Sequence, residues 1–421
     1  MSRKSARVAA ALVAALAGCS RGQSAEGPYA RQVADAVPQI EAGTGLRFKH
    51  PPVVRPKSQA EFHDFMQRVF EREIGEKELA GQQATYRFLG LIPDTLNLRQ
   101  LFLDFLTEQA VGLYDPESKT LWIRSDAKPE QIGLIVSHEL VHALQDQYVN
   151  LDSIEKTKGD DDRALAAHAL IEGQAMLVPL QAAAGAGVDP AARYPGGWEA
   201  IRQLVRDNFS STPVAARAPM VIRETEIFSY VNGMEFVRRF VERHPGTSAY
   251  GAAIPHSSEQ LLHPEKYDAA TREEPVKIVL PAPSGASESY QNDVGEFGIR
   301  VFLYQHLNDQ PTSIRAAAGW GGDRYAIVRT PRGEGFTWVS VWDTPLDAAE
   351  FRDALQEVIA KRFGAPATAG PSASARSYTA RGRSLLVWAG EIGGKAAVMY
   401  VDVPAGASTS VIDPAKVRLQ P

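Results

Sequence analysis

Residues 138–142 read His-Glu-Leu-Val-His, which places two histidines four positions apart and a glutamate directly after the first. Side chains four residues apart lie on one face of an α-helix, so His138 and His142 can each direct a ring nitrogen at the same metal ion. Glu139 then lies beside that ion, where a carboxylate can take a proton from water. The spacing therefore predicts a helix over this segment and a zinc site on it.

The flanking sequence has the pattern of a helix that packs along one side. Pro129 suits a first helical turn, and apolar residues follow at every fourth position, namely Ile132, Val136, Leu140 and Leu144. The polar residues of the motif fall beside this apolar stripe. A chance occurrence of the five letters is the alternative interpretation, and the surrounding pattern argues against it.

The first nineteen residues indicate export. An apolar run over residues 8–17 is too short to span a bilayer but suits a secretory signal, and three basic residues precede it: Arg3, Lys4 and Arg7. Residues 16–19, Leu-Ala-Gly-Cys, resemble a bacterial lipobox, in which the cysteine becomes the first mature residue and carries lipid. We therefore predict a lipoprotein signal peptide over residues 1–18, lipidation of Cys19 and a tether over residues 19–28. An ordinary signal peptide with an incidental cysteine is the alternative.

Composition and charge limit the partners and the location. Cys19 is the only cysteine, so an intramolecular disulfide is excluded. Removing residues 1–18 with their three positive charges changes the formal net charge from −5 to −8, and an acidic chain without a basic run is a poor binder of nucleic acid. Ser20 stands where bacterial lipoproteins carry an inner-membrane retention aspartate. We therefore predict a lipid-anchored protein of the bacterial cell envelope, at the outer membrane or facing the periplasm.

A chain of 421 residues, 44% hydrophobic and 23% charged, is long enough for two folded domains. Helical patterns dominate to about residue 268, among them the face formed by Val33, Val37 and Ile40, a capping box at residues 58–61 and a helix after Asp94. Strands are then indicated over residues 276–280, 325–328, 337–342, 384–388 and 396–403, with a helix over 346–363. The sequence predicts an α+β protein, with a mainly helical domain over residues 29–274 and a smaller α+β domain over residues 275–421.

A catalytic zinc site needs a third protein ligand, and the best candidates lie in the next predicted helix, at His168 and Glu172. With Glu172 thirty residues after His142, the arrangement resembles the gluzincin metallopeptidases, whose third ligand is a glutamate on a following helix. The resemblance implies one zinc ion held by His138, His142 and Glu172. His168, one turn before Glu172 on the same face, is the alternative third ligand. Metzincins are disfavoured because Tyr148 stands where their third histidine would be.

Residues 105–345 also resemble a group of poorly characterised bacterial HExxH lipoproteins, through Ser-Glu-Gln-Leu-Leu-His-Pro-Glu-Lys-Tyr at 258–267 and Gly-Trp-Gly-Gly-Asp-Arg-Tyr at 319–325. These resemblances imply a zincin-like fold. Residues 111–123 read as two short strands joined at a proline-containing turn, so a hairpin precedes the motif helix. In HExxH peptidases such a strand commonly borders the cleft and pairs with the substrate backbone; a plain structural hairpin is the equal alternative.

The chain departs from the thermolysin-like pattern at one position. There an aspartate four residues beyond the glutamate ligand orients a metal-binding imidazole, whereas this chain has Met176. A ligating histidine still needs an acceptor for its other ring N–H. Asp146, one of the aspartates at 160–162 or a backbone carbonyl is expected to serve.

The resemblance implies a zinc-dependent hydrolase, specifically a peptidase acting on peptides or proteins. Water activated by zinc would attack a carbonyl, with Glu139 as the general base. The developing oxyanion needs a further donor, for which the candidates are Tyr230, His256, His263, Tyr267, Arg324 and Tyr325. The alternative is a non-catalytic lipoprotein that keeps the zincin fold and acts as a binding or assembly factor.

Two further patterns are interpreted as structural. The glycine-rich residues 319–323 lack the lysine and the serine or threonine of a phosphate-binding loop, so they predict a tight turn before a strand at Tyr325. Trp338 and Trp342 lie four apart in a predicted strand, point to the same side and are expected in the core.

Overall fold

The computed structural model of the chain describes residues 28–151, 158–268 and 272–420. The predicted signal peptide, Cys19 and the tether up to residue 27 lie outside these residues. Within the described ranges, no helix is long and apolar enough to cross a membrane.

The chain up to residue 268 is mainly helical, as predicted. Ser58 and Glu61 form the expected capping box, whereas the helix expected after Asp94 begins only at Leu98, where Asn97 caps it. The α-helices span Ala30–Thr44, Gln59–Glu73, Glu76–Phe88, Leu98–Gln109, Pro129–Asp146, Asp161–Ala184, Gly197–Ser210, Pro213–Arg217, Met220–Arg243, Ser258–Leu262 and Pro264–Tyr267, and 3-10 turns span Pro190–Arg193 and Gly251–Ala253.

Three of these helices carry the candidate site: the motif helix Pro129–Asp146, the glutamate helix Asp161–Ala184 and the tyrosine helix Met220–Arg243. The glutamate helix lies at the centre, because residues 164–179 are buried on every face. The motif helix packs against it and against the first helix, where Ile40 joins the apolar stripe predicted from the sequence. Val136, Leu140 and Leu144 of that stripe are buried as expected, whereas Ile132 at its start is half-buried.

The glutamate helix and the tyrosine helix approach each other closely at two glycines. A Cβ atom on Gly173 would lie 2.0 Å from the carbonyl carbon of Gly233, and one on Gly233 would lie 1.8 Å from the carbonyl oxygen of Ala169. Such distances leave no room for any side chain at either position. The backbones therefore touch directly at this crossing, which fixes the neighbouring Glu172 relative to the tyrosine helix.

A three-stranded sheet precedes the motif helix, in the order β1-β3-β2. β1 (Val53–Lys57) runs parallel to β3 (Thr120–Arg124), and β2 (Gly112–Asp115) is antiparallel to β3. The predicted hairpin is thus confirmed. β2 is an edge strand, yet all of its residues are buried, because its outer side faces the motif helix.

The second half of the chain forms a seven-stranded antiparallel sheet, in the order β5-β6-β7-β11-β10-β9-β8. Trp338 and Trp342 are buried on one face of it and pack against Phe351, as predicted for core residues. The strands are β5 Ser287–Asn292, β6 Trp320–Thr330, β7 Gly333–Trp342, β8 Thr368–Ala369, β9 Ala375–Ala380, β10 Arg383–Ile392 and β11 Lys395–Pro404, and the helices are Gly295–Leu307, Gln310–Ala317 and Pro345–Phe363.

The predictions for this half are confirmed only in part. The glycine-rich residues 319–323 are not a turn before the strand, because β6 already begins at Trp320 and contains a bulge at Gly321, between the paired residues Trp320 and Gly322. The strand predicted over 276–280 is confirmed as β4 (Lys277–Val279), which pairs with β12 (Arg418–Gln420) outside the large sheet. The two helices between residues 295 and 317 were not predicted, since the character of the sequence after residue 275 was interpreted as mainly strands.

Residues 258–267, one of the blocks that carry the resemblance, join the two halves of the molecule. The Ser258 N–H donates to Asp162 on the glutamate helix (2.9 Å), and the Ser258 hydroxyl accepts from the Phe297 N–H (3.1 Å). Lys266 bonds Asp343 at the end of β7 (2.5 Å). The block therefore has a structural role at the junction.

Candidate metal centre

The motif helix brings His138 and His142 together as the spacing predicted. Their Nε2 atoms lie 3.2 Å apart, and the two rings meet edge to face with centroids 4.9 Å apart. Both side chains are buried. Two imidazole nitrogens therefore face one point inside the protein.

Glu172 completes the group from the glutamate helix. Its Oε2 lies 3.4 Å from His138 Nε2 and 3.7 Å from His142 Nε2. Ligand atoms held tetrahedrally at about 2.0–2.1 Å from zinc lie about 3.3–3.4 Å from one another. The observed triangle is close to one face of such a tetrahedron, so these three residues could hold a metal ion.

The carboxylate of Glu172 supports this interpretation. It is completely buried, and neither oxygen accepts a hydrogen bond from a residue that the structure describes. Burial acts to raise its pKa, but the charge of His142 and the contact with His138 hold that pKa well below the ordinary value. A buried carboxylate without hydrogen bonds is costly unless a positive charge compensates it, and a bound cation would do so.

His168, the alternative third ligand, faces the other oxygen of the same carboxylate. Its Nε2 lies 3.9 Å from Glu172 Oε1, whereas the motif histidines face Oε2. The group that could hold a metal ion contains Glu172 and not His168. Glu226 of the tyrosine helix is buried nearby, where burial raises its pKa to about 7 although the charge of His168 opposes this.

Gln145 orients His142, whereas the sequence predicted an aspartate or a backbone carbonyl in this role. Its Oε1 lies 2.8 Å from His142 Nδ1, and its Nε2 donates to the carbonyl of Ile171 (3.0 Å). Because the amide nitrogen is engaged, the amide oxygen must accept from the ring, which places the proton of His142 on Nδ1 and leaves Nε2 free to bind a metal.

The aspartates that were expected to orient a metal-binding histidine have other partners. Asp146 accepts from the Tyr114 hydroxyl (2.8 Å) and from Lys119 (2.7 Å). Asp160 caps the glutamate helix, and Asp162 accepts from the Ser258 N–H. Physically, a side chain on the motif helix itself reaches His142 because it lies three residues further along the same face.

A second glutamine extends this support toward the surface. Gln145 Nε2 also donates to Gln174 Oε1 (3.1 Å), which in turn accepts from the hydroxyl of Tyr250. Tyr250 and Gln174 line a pocket on the far side of the glutamate helix. The orientation of His142 is thus held by a chain of side chains from three separate segments.

We expect Gln145→Leu to weaken zinc binding by about 10- to 100-fold, which is typical when the acceptor of a ligating imidazole is lost. A competition titration with a chromophoric chelator measures this change. Gln145→Glu keeps an acceptor for the ring N–H but sets a second oxygen against the carbonyl of Ile171, so it should recover only part of the affinity. Gln131→Leu, at the opposite end of the same helix, serves as the control. Zinc affinity unchanged in Gln145→Leu would contradict the assigned role.

Glu139 is buried beside the two histidines and is held by the hairpin. Its Oε2 accepts the backbone N–H of Tyr114 on β2 (2.8 Å). The same stretch of β2 touches the motif helix at Gly112, where a Cβ atom would lie 2.5 Å from the side chain of Ile135. The N–H of Tyr114 therefore holds Glu139, which favours the structural interpretation of the hairpin at this residue.

Tyr230 is the oxyanion-donor candidate that the fold places at the site. Its ring centroid lies 6.5 Å from that of His138. Burial raises its pKa well above the ordinary value, and the charges of Glu172, Glu226 and Glu139 act in the same direction. Its hydroxyl therefore stays protonated at neutral pH and can donate a hydrogen bond.

The other donor candidates are engaged elsewhere. Their contacts join His256 to Glu274, His263 to Glu296, Tyr267 to the carbonyl of Ala253, Arg324 to the carbonyl of Gly159, and Tyr325 to the rings of Tyr290 and Phe336. These contacts are structural. Tyr230 differs from these candidates because the fold brings its ring close to that of His138.

Residues 283–396 match a family described as a domain of unknown function (DUF8575). The matched region covers most of the large sheet with its helices and does not include the candidate metal centre. No curated protein and no solved structure matches the chain.

Proposed function

We propose that this protein is a zinc-dependent hydrolase, and specifically a peptidase of gluzincin type. One observation carries the proposal: a buried triangle of two imidazole nitrogens and a carboxylate oxygen has the dimensions of a metal site, and a second carboxylate, Glu139, lies next to it on the motif helix. A site that only stores a metal has no need of that second carboxylate.

His138, His142 and Glu172 would hold the ion. Two nitrogen ligands and one oxygen ligand are the donor set of many catalytic zinc sites, which keep a fourth position open. Zinc bound there would polarise a substrate carbonyl and lower the pKa of water to roughly 7.

Protein side chains would carry out the other steps of the reaction. Glu139, which accepts the Tyr114 N–H, would take a proton from the attacking water and pass it to the leaving amine. Tyr230 would donate a hydrogen bond to the oxygen that gains negative charge, a role supported by its protonated hydroxyl and its ring near His138. Gln145 keeps His142 in the tautomer that binds the metal.

A second candidate function follows from the burial of the site. His138 is 6% exposed, and Glu139 and His142 are each 1% exposed, so little of the group is open to a substrate. This favours a non-catalytic protein with a structural metal that acts as a binding or assembly factor. Cleavage of a peptide library by the zinc-loaded protein separates the two: full zinc occupancy without turnover of any peptide would support the second.

We expect Glu172→Ala to lose the stoichiometric zinc of the purified protein, because the remaining pair of imidazoles offers too few ligands. Elemental analysis of the purified variant gives the result. His168→Ala is the matched control, since it removes a buried side chain of the same helix that faces the opposite oxygen of Glu172. Retention of zinc in Glu172→Ala together with its loss in His168→Ala would transfer the role of third ligand to His168.

Export and anchoring also belong to the proposal. We expect the mature protein to begin at Cys19 and to carry lipid there, which places the hydrolase at the cell envelope. Mass spectrometry of the protein from membranes tests this, and Cys19→Ser should release the protein from the membrane fraction. A mature protein with an unmodified Cys19 thiol would refute the anchor without affecting the metal site.

A further inference from the structure

A cavity lies where the two halves of the chain meet, at the amino-terminal ends of the glutamate and tyrosine helices. It encloses about 570 Å³ of empty space, counted out to its mouth. Its walls are largely apolar and come from both halves, with Leu165 and Val221 on one side and Phe297, Val301 and Tyr325 on the other. A mainly apolar lining with a few charged groups at one end is typical of small-molecule sites.

Carboxylates line one part of this cavity. Asp161 and Asp162 begin the glutamate helix, and Asp293 comes from the segment before the helix Gly295–Leu307. Asp161 is half-buried, so this part reaches solvent there, whereas the side chain of Asp293 is only 10% exposed. The guanidinium of Arg324 faces the group, with its Nη1 3.8 Å from Asp293 Oδ2.

Asp162 supports a bound ligand in this cavity by an observation that is independent of the cavity itself. The residue is 3% exposed and its Oδ2 accepts the Ser258 N–H, but its Oδ1 is buried and has no hydrogen bond to any described residue. Burial raises the pKa of Asp162 to about 8, although the bond from Ser258 opposes this. Burial also raises the pKa of Asp293 well above its ordinary value, and the charges of Asp160 and Asp323 add to the effect. These carboxyl groups thus lack sufficient positive charge around them.

We propose that this cavity binds a small organic cation, a primary ammonium group on an apolar body. The ammonium would lie against Asp161, Asp162 and Asp293, and the body would lie among the apolar walls. A metal ion is a poorer occupant, because among the described residues only His138, His142 and Glu172 come close enough together to hold one. An anion is disfavoured by the carboxylates, and a neutral apolar molecule would leave Oδ1 of Asp162 without a partner.

This proposal does not depend on the proposed zinc chemistry. Three probes of similar length test it at pH 7.5, namely n-hexylamine, n-hexanol and hexanoate. Isothermal titration of the full protein should show saturable binding of one n-hexylamine per chain. Hexanol should bind at least about tenfold more weakly, since it loses the charged hydrogen bonds, and hexanoate should not bind. Equal affinity for the amine and the alcohol would overturn the role of the carboxylates, and absence of amine binding up to millimolar concentration would overturn the site.

Two variants locate the binding. Asp161→Asn removes one carboxylate at a half-buried position and should lower the affinity for n-hexylamine without affecting zinc content. Leu165→Trp fills the cavity and should abolish binding, with thermal unfolding used to confirm that the variant is folded. If Leu165→Trp does not fold, Val301→Phe fills the opposite wall and replaces it. Amine binding that is unchanged in Asp161→Asn and in a folded cavity-filling variant would place the ligand elsewhere.

Discussion

Glu139→Gln should lower kcat for peptide hydrolysis by about 10²- to 10⁴-fold, which is the usual contribution of a general base. Glutamine has the size of glutamate and its amide oxygen can still accept the N–H of Tyr114, so the hairpin and the motif helix should keep their contact. The amide cannot take a proton at neutral pH. Zinc content should therefore remain at one ion per chain while turnover is lost, as zinc analysis and a peptide cleavage assay on the same preparation would show.

The control for this prediction lies on the same helix. Glu130 is an exposed glutamate of the first turn, and Glu130→Gln should leave both turnover and zinc content unchanged. Full activity in Glu139→Gln would reject Glu139 as the general base. Loss of zinc in that variant would instead show that Glu139 is one of the metal ligands, and the assigned ligand set would then be wrong.

The parts of the site that the sequence predicts are those that depend on one helix. The period of an α-helix is sufficient to place His138 and His142 together, with Glu139 beside them, and the structure confirms their placement. Glu172 lies on another helix, and its position came from the resemblance to gluzincins and not from periodicity. The structure brings it to the two histidines.

The parts that could not be predicted depend on how separate segments meet. Gln145 is three residues from His142, so its contact was open to prediction, but aspartates nearby were equally plausible until their own partners were known. The bond from the Tyr114 N–H to Glu139 joins a strand to a helix, and backbone donors leave no trace in side-chain patterns. The helices between 295 and 317 were missed because the character of this half of the chain had been interpreted as mainly strands.

Gly233→Ala should be among the most damaging single-methyl changes in this protein. The added Cβ would lie 1.8 Å from the carbonyl oxygen of Ala169, which belongs to the backbone of the glutamate helix and cannot rotate away. The two helices must separate, at a cost of about 3 kcal/mol, the upper end for overpacked cores. Because Glu172 lies next to the crossing, the shift should also weaken zinc binding. Calorimetric melting and a chelator competition measure the two effects.

Gly133→Ala provides the matched control, because it adds the same methyl group where there is space. Gly133 lies in the exposed part of the motif helix, and no atom lies within 4 Å of the position that its Cβ would occupy. Alanine is favoured over glycine in a helix by about 0.5–1 kcal/mol, so this variant should be more stable than the parent. Loss of both stability and metal affinity in Gly233→Ala, with neither lost in Gly133→Ala, would support the view that close backbone contact, and not glycine in general, holds Glu172 at the site. A melting temperature unchanged in Gly233→Ala would mean that the helices can separate freely there, and the crossing would not be what positions the third ligand.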